Sequence, residues 1–170
     1  ERPEGRSETF HFAGGIIEFV NFVDQNKDKI NAKPIYLEGE KNSIIVEVAM
    51  QYCDTYNENV FTYVNNINTE EGGTHLSGFR KALTRTINNY ARANKLLKDN
   101  EDALSGDDVR EGLTAVLSLK VPNPQFESQT KIKLGNSEVM PIVDSLVGDT
   151  LAEFMEENPS VAKKIVEKGI

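Results

Sequence analysis

Apolar and polar positions change their spacing several times along the chain, and each change marks an element. Residues 8–12 alternate as a half-buried strand does. After Gly14-Gly15 the period lengthens, and Ile16, Phe19, Val20 and Val23 fall on one face of a helix over 16–25. Pro34 introduces a short strand at 35–37. A β-branched, alternating run at 43–53 predicts a longer strand. The turn-rich segment 54–59 then makes 60–67 its hairpin partner.

Glu70-Glu71-Gly72-Gly73-Thr74 breaks the alternation and starts the longest helix, over about 75–97. Leu76, Phe79, Leu83, Ile87, Tyr90 and Leu97 lie along one side of it, and Lys81, Arg85, Asn88 and Arg92 along the other. Residues 98–106 are polar and read as a mobile loop. Asp107-Asp108 can cap a short helical turn through Gly112. The most apolar strand, 113–121, is stopped by Pro122-Asn123-Pro124. A second long helix, 137–157, ends at Asn158-Pro159, and Ser160 caps a last helical stretch, 161–168. This order predicts an α+β domain with helices packed on a mixed sheet.

The length suits one domain, or one domain with a short tail. A hydrophobic fraction of 38% and a charged fraction of 27% are ordinary for a soluble globular protein. No apolar run approaches the ~18 residues that cross a bilayer, and the polar start is no signal peptide. With no initiator Met, the chain is expected to begin inside a longer protein. Cys53 is the single cysteine. It allows neither an internal disulfide nor a zinc cluster, so a cytoplasmic location is expected. A net charge of -8 argues against an independent nucleic-acid binder.

Several motifs promise chemistry that their details withdraw. Asp24 to Asp28 opens like a calcium loop, but Lys29 stands where Gly is needed and Ile35 where Glu is needed. Gly73 and Gly78 are spaced as in a phosphate loop, but Phe79-Arg80 follows instead of a Lys-Ser/Thr pair. His11 and His75, the only histidines, have no nucleophile elbow to serve. Asp107-Asp108 is better read as a helix cap than as a carboxylate pair, and no metal site is expected.

Two stretches carry more specific information. One runs from Glu71 through Gly72-Gly73-Thr74-His75-Leu76-Ser77-Gly78-Phe79-Arg80 to Arg85. The other runs from Gly106-Asp107-Asp108-Val109-Arg110-Glu111-Gly112-Leu113 through Lys120-Val121-Pro122-Asn123-Pro124-Gln125-Phe126 to Ser128-Gln129-Thr130-Lys131. Together they resemble the second domain of the ATPase region in the DNA gyrase B family of type II topoisomerases. The topoisomerase IV counterpart shares the pattern. Phe12-Ala13-Gly14-Gly15-Ile16 and Glu156-Glu157-Asn158-Pro159 match as well, so the resemblance covers nearly the whole chain.

The resemblance implies a ribosomal protein S5 domain 2-like fold: a mixed sheet with helices on one face and a long C-terminal helix. Residues 1–158 would be the transducer domain and 159–170 the start of a following helical segment. ATP and Mg²⁺ would be bound mainly by a preceding GHKL-type domain, whose motifs do not occur here. This segment alone is therefore expected to be inactive and to carry no cofactor. Gln129 and Lys131 would reach the ATP γ-phosphate, with Lys131 also facing transition-state charge. Arg80, and with it Lys81 and Arg85, would line the cavity through which DNA passes. Gyrase A and duplex DNA are the implied partners, with no membrane, and the isolated segment is expected to be a monomer. A stand-alone S5-like module for RNA or protein is the competing reading of another class, weakened by the acidity. An independent hydrolase lacks any convergent nucleophile and base.

Overall fold

The strand Leu113–Lys120 is buried at every position except Lys120. A strand buried on both sides needs a neighbour along each edge and cover on each face. The computed structural model, which describes residues 15–126 and 133–170, satisfies that need by placing this strand at the centre of the sheet. The elements are α1 (Gly15–Val23), β1 (Ile35–Lys41), β2 (Ile44–Tyr52), β3 (Asn59–Val64), β4 (Ile67–Asn68), α2 (Thr74–Ala93), α3 (Gly106–Arg110), β5 (Leu113–Lys120), α4 (Val139–Glu157) and α5 (Pro159–Gly169). The predicted strand 8–12 and His11 lie outside the described residues.

The sheet runs β1-β2-β5-β3-β4. All its pairs are antiparallel except β3 with β5. This corrects the expected hairpin between 43–53 and 60–67, because β5 lies between those two strands. The real hairpins are β1–β2 and β3–β4. Both turn on paired residues in the left-handed region: Asn42 (φ 53°) with Ser43 (φ 66°), and Asn65 (φ 51°) with Asn66 (φ 67°). Two consecutive positive φ values give the turn whose twist matches a hairpin, and Asn tolerates that conformation.

Alternate positions of β2 and β5 divide between two cores. Val46, Val48, Met50, Leu113, Leu117 and Leu119 meet α2 and α4 in the larger core. Ala49, Val116 and Tyr63 face the other way and meet Ile16 and Val20 of α1. Phe19 of α1 adds an edge-on contact to Phe61 of β3, with ring centres 5.1 Å apart. The helices are thus not all on one face: α1 covers the side opposite α2 and α4. Its last turn is fastened by Asp24, fully buried, which accepts from the Thr114 hydroxyl (2.7 Å) and pairs with Lys27 (3.1 Å). The acidic start of the apparent calcium loop is therefore a structural anchor. Burial pushes the neighbouring Cys53 thiol up to about 12, which keeps it protonated.

Several boundaries move for local reasons. Helix α2 stops at Ala93 because Lys95 turns left-handed (φ 59°), yet Leu97 still reaches the core. Segment 98–106 is tethered rather than loose. Arg92 donates to the carbonyls of Lys98 (2.7 Å) and Glu101 (2.9 Å), and Asn88 brackets Leu104 through both its backbone groups. The cap of α3 is Ser105, whose hydroxyl accepts from Asp108 N while the Asp108 carboxylate accepts from Ser105 N. Helix α5 begins two residues early, with Pro159 in its first turn and Asn158 rather than Ser160 at the cap position. Ala162, Ile165 and Val166 of α5 join the larger core, so the last residues pack back onto the domain.

Helices α2 and α4 cross closely at Gly78. A Cβ there would lie 2.5 Å from the Met140 carbonyl oxygen and 3.1 Å from the Val143 Cβ. Helix propensity alone would reward Gly78→Ala by up to ~1 kcal/mol. The crossing reverses the sign: we predict a net loss of about 1–3 kcal/mol in urea unfolding, because a backbone oxygen cannot move aside cheaply. Unchanged or increased stability would show that the helices have room to separate.

Candidate functional site

The chain leaves β5 at Val121 and returns at Lys133. Residues 127–132, with Gln129, Thr130 and Lys131, lie outside the described residues. Their two stems are held firmly together. Phe126 bridges Leu134, and Gly135 N donates to Gln125 O (2.7 Å). Asn136, buried, ties three points: its Oδ1 accepts from Gln125 N (2.5 Å), and its Nδ2 donates to Asn123 O (3.1 Å) and to Glu138 Oε2 (3.0 Å). That amide hydrogen bond is the main cause holding the Glu138 carboxyl below the usual carboxylate range. Asn65, in the β3–β4 turn, clamps the outgoing stem by bonding both backbone groups of Val121 (2.8 and 2.9 Å).

The returning stem docks on the start of α2. Leu134 N donates to Gly72 O (2.9 Å), and Thr74 N donates to Leu134 O (3.1 Å). Gly73 lies between them with φ 130°, and a Cβ there would sit 2.2 Å from Leu134 O. Only glycine permits that approach. The Gly72-Gly73-Thr74 motif is therefore a backbone dock for the stem at Leu134, a role that its spacing alone did not reveal. An open groove of about 310 Å³ remains beside the dock, lined by Thr74, Ser77, Arg80 and Lys133 among others.

His75 stiffens the dock from beneath. It is fully buried, and its Nε2 lies 2.9 Å from the Thr69 hydroxyl. Thr69 and Thr62 exchange hydrogen bonds, each hydroxyl donating to the other's carbonyl (3.0 and 2.8 Å). The Thr69 oxygen is then left to accept from an Nε2–H tautomer. Burial lowers the imidazole pKa to about 4, so His75 is neutral here.

The predicted basic residues divide between two neighbourhoods. Arg80 turns towards the segment before β3, where its Nη2 lies 3.3 Å from Glu58 Oε2. The same oxygen lies 3.1 Å from Arg110 Nε. Arg85 instead pairs with Asp144 of α4, and Lys81 lies 4.0 Å from the same carboxylate. Arg80, Lys81 and Arg85 thus each lie beside an acid of this chain, with Lys81 and Arg85 sharing one carboxylate. Glu58, Arg110 and Asp144 were missed in the sequence, since nothing in their spacing links them to α2. Among the described residues, no group of three or more His, Cys, Asp or Glu could hold a metal ion.

His75 gives a pH prediction. Its folded pKa of about 4 lies below the unfolded value near 6.5. The unfolded chain therefore binds the extra proton first. Stability from this group is present above about pH 6.5 and is lost as pH falls towards 4, by about 3 kcal/mol in total. In an NMR titration of the two histidines, the His75 ring should remain neutral at pH 5.5. A His75 midpoint near 6.5 would show that the ring is hydrated in solution.

Comparison with known proteins agrees with this architecture. The family model for DNA gyrase B matches residues 15–170. The chain is 59% identical to the DNA gyrase B protein of Streptococcus pneumoniae over 172 aligned positions, covering 100% of this chain and 26% of the relative. It is 54% identical to that of Enterococcus faecalis, covering 100% of this chain and 27% of the relative. It therefore spans about a quarter of the length of these relatives. Among solved structures, the 43K ATPase domain of Thermus thermophilus gyrase B, in complex with an aminocoumarin, superposes with a TM-score of 0.85. The identity is 40%, over 92% of this chain and 42% of that one. The topoisomerase IV ATP-binding domain of Francisella tularensis, in complex with a small-molecule inhibitor, gives 0.79 at 28% identity, over 94% of this chain and 42% of that one. With the family model spanning all but the first residues, and this sheet and helix order shared with a 40%-identical gyrase B structure, the chain belongs to the DNA gyrase B family.

Proposed function

We propose that this chain is the transducer of an ATP-dependent type II topoisomerase of the gyrase kind, coupling ATP hydrolysis to DNA strand passage and negative supercoiling. Residues 1–158 form the transducing domain, and 159–170 begin the helical segment that follows. The observation that carries the reading is the pair of stems that flank 127–132: they are bonded to each other, and the returning one to the start of α2. Helix α2 packs along α4, so a displacement of the loop passes into two long helices at once.

The chemistry suits a γ-phosphate sensor. Lys131 supplies a compact point charge for a dense anion, and the Gln129 amide can donate to it. Contact in the ATP state and its loss after phosphate release make a two-state switch driven by differential contact. Lys131 also faces charge that develops in the transition state. The preceding GHKL-type domain holds ATP and Mg²⁺. Among the described residues, no group of three or more His, Cys, Asp or Glu could hold that metal. Gyrase A and duplex DNA are the partners, in the cytoplasm. Arg80, with Lys81 and Arg85 as lesser contributors, meets the DNA backbone without reading sequence. The topoisomerase IV counterpart is the alternative, kept open by the Francisella tularensis structure. Supercoiling against decatenation by the complete protein separates the two.

Lys131→Ala tests the sensor in this segment fused to its own upstream sequence. We expect turnover to fall about a hundredfold or more, with none from the segment alone. Unchanged turnover would sink the Lys131 assignment, and turnover by the isolated segment would require a nucleotide site within it. Arg80→Gln in the complete enzyme should weaken DNA stimulation of ATP turnover and reduce its salt slope by about one. Stimulation identical to the parent would remove Arg80 from the DNA path.

A further inference from the structure

One carboxylate oxygen beside the start of β3 serves two arginines. Glu58 Oε2 lies 3.3 Å from Arg80 Nη2 and 3.1 Å from Arg110 Nε. Arg110 is also held by Asp107, at 3.0 Å. The three elements involved are far apart in sequence: the β2–β3 connection, α2 and α3. As placed, Glu58 turns the same oxygen to both arginines. Both Nε–H groups are buried and find no well-aligned hydrogen-bond acceptor among the described residues. Buried donors left unpaired are costly, and guanidinium forks are satisfied best by oxyanions that offer an oxygen to each.

We propose that Arg80 and Arg110 form a single two-guanidinium site for a DNA backbone phosphodiester, and that Glu58 fills this site from within the chain until duplex DNA displaces it. The inference rests on the reading of Arg80 as a DNA contact and extends it to Arg110 and Glu58. A phosphodiester also carries two acceptor oxygens but is not tethered to this loop, so it can turn one oxygen to each arginine where Glu58 turns Oε2 to both.

The surroundings suit an exchange of anions. The backbone before Glu58 is fixed by Gly112 N, which donates to Asn57 O (3.1 Å), and by Lys168 Nζ, which donates to Thr55 O (2.9 Å), and after it β3 begins at Asn59, paired with Thr114. The Glu58 side chain can therefore swing out without unfolding its loop. Arg110, only 15% exposed, stays in place against Asp107, while Arg80, 42% exposed, is reachable from solvent. The two arginines are balanced by Glu58 and Asp107, so the resting cluster is neutral in a chain of net charge -8. Distant DNA is not attracted strongly, and each engagement gives up the Glu58 contacts. Such a site holds a passing duplex weakly, as strand passage requires.

The test uses the complete enzyme, with linear duplex DNA as the probe. ATP turnover is followed against DNA concentration at several salt concentrations, for Glu58→Gln, Arg110→Gln and Arg80→Gln. Glu58→Gln should lower the DNA concentration for half-maximal stimulation by about threefold or more, since the internal competitor is gone. Arg110→Gln should raise that concentration and reduce the salt slope by about one, as Arg80→Gln does. Thermal unfolding accompanies each variant. If Arg110→Gln is unfolded, Arg110→Lys replaces it, keeping the charge without the fork and giving a smaller rise. Should Glu58→Gln and the Arg110 variants follow the parent while Arg80→Gln does not, the two-arginine site is wrong and Arg80 acts alone. A rise with Glu58→Gln would also overturn it, by making Glu58 a support rather than a competitor. If Arg80→Gln follows the parent too, the DNA contact itself fails, and this inference with it.

Discussion

Strand β5 sets the terms for the rest of the domain. Its side chains are buried on both sides up to Lys120, so both faces must be covered. One face is closed by α2 and α4, the other by the short helix α1, and the two edges by β2 and β3. The chain must then cross over to bring β3 alongside β5 in parallel, and α2 with the tethered segment after it makes that crossing. Remove the demand for two-sided burial, and the simpler hairpin of β2 with β3 would suffice.

Polar groups lock the pieces that hydrophobic burial leaves free to slide. Asp24 fastens the end of α1 to Thr114, and Asn65 fastens the β3–β4 turn to Val121. Asn136 draws the two stems of the loop together. Each of these contacts is directional, which fixes register where apolar packing would tolerate a shift. His75 belongs to the same group: its neutral ring joins α2 to the β3–β4 hairpin directly beneath the point where Leu134 docks. The two stems that flank residues 127–132 are therefore tied to each other and, through Leu134, to the start of α2.

Charge is handled locally. The excess of acids places a partner beside each of the arginines on α2 that the sequence marked as candidates: Glu58 for Arg80 and Asp144 for Arg85. The positive charge that this side of α2 presents is consequently reduced by acids of the same chain.

By itself, the sequence determined the local elements, their apolar sides and the family. Period and punctuation encode local backbone preference and burial within one stretch of chain, so helices α2 and α4 and strands β2, β3 and β5 were legible from spacing alone. The motif blocks identified the relatives for the same reason, since they are contiguous. What only the tertiary structure decided is which pieces meet. That β5 separates β2 from β3 depends on the total burial of a strand seen from both faces. That Gly73 is shaped to Leu134 depends on two backbones more than fifty residues apart coming within van der Waals reach. That Arg80 shares Glu58 with Arg110 depends on three separate elements converging at one surface. Side chains distant along the chain carry no mark of each other, and only packing brings them into contact.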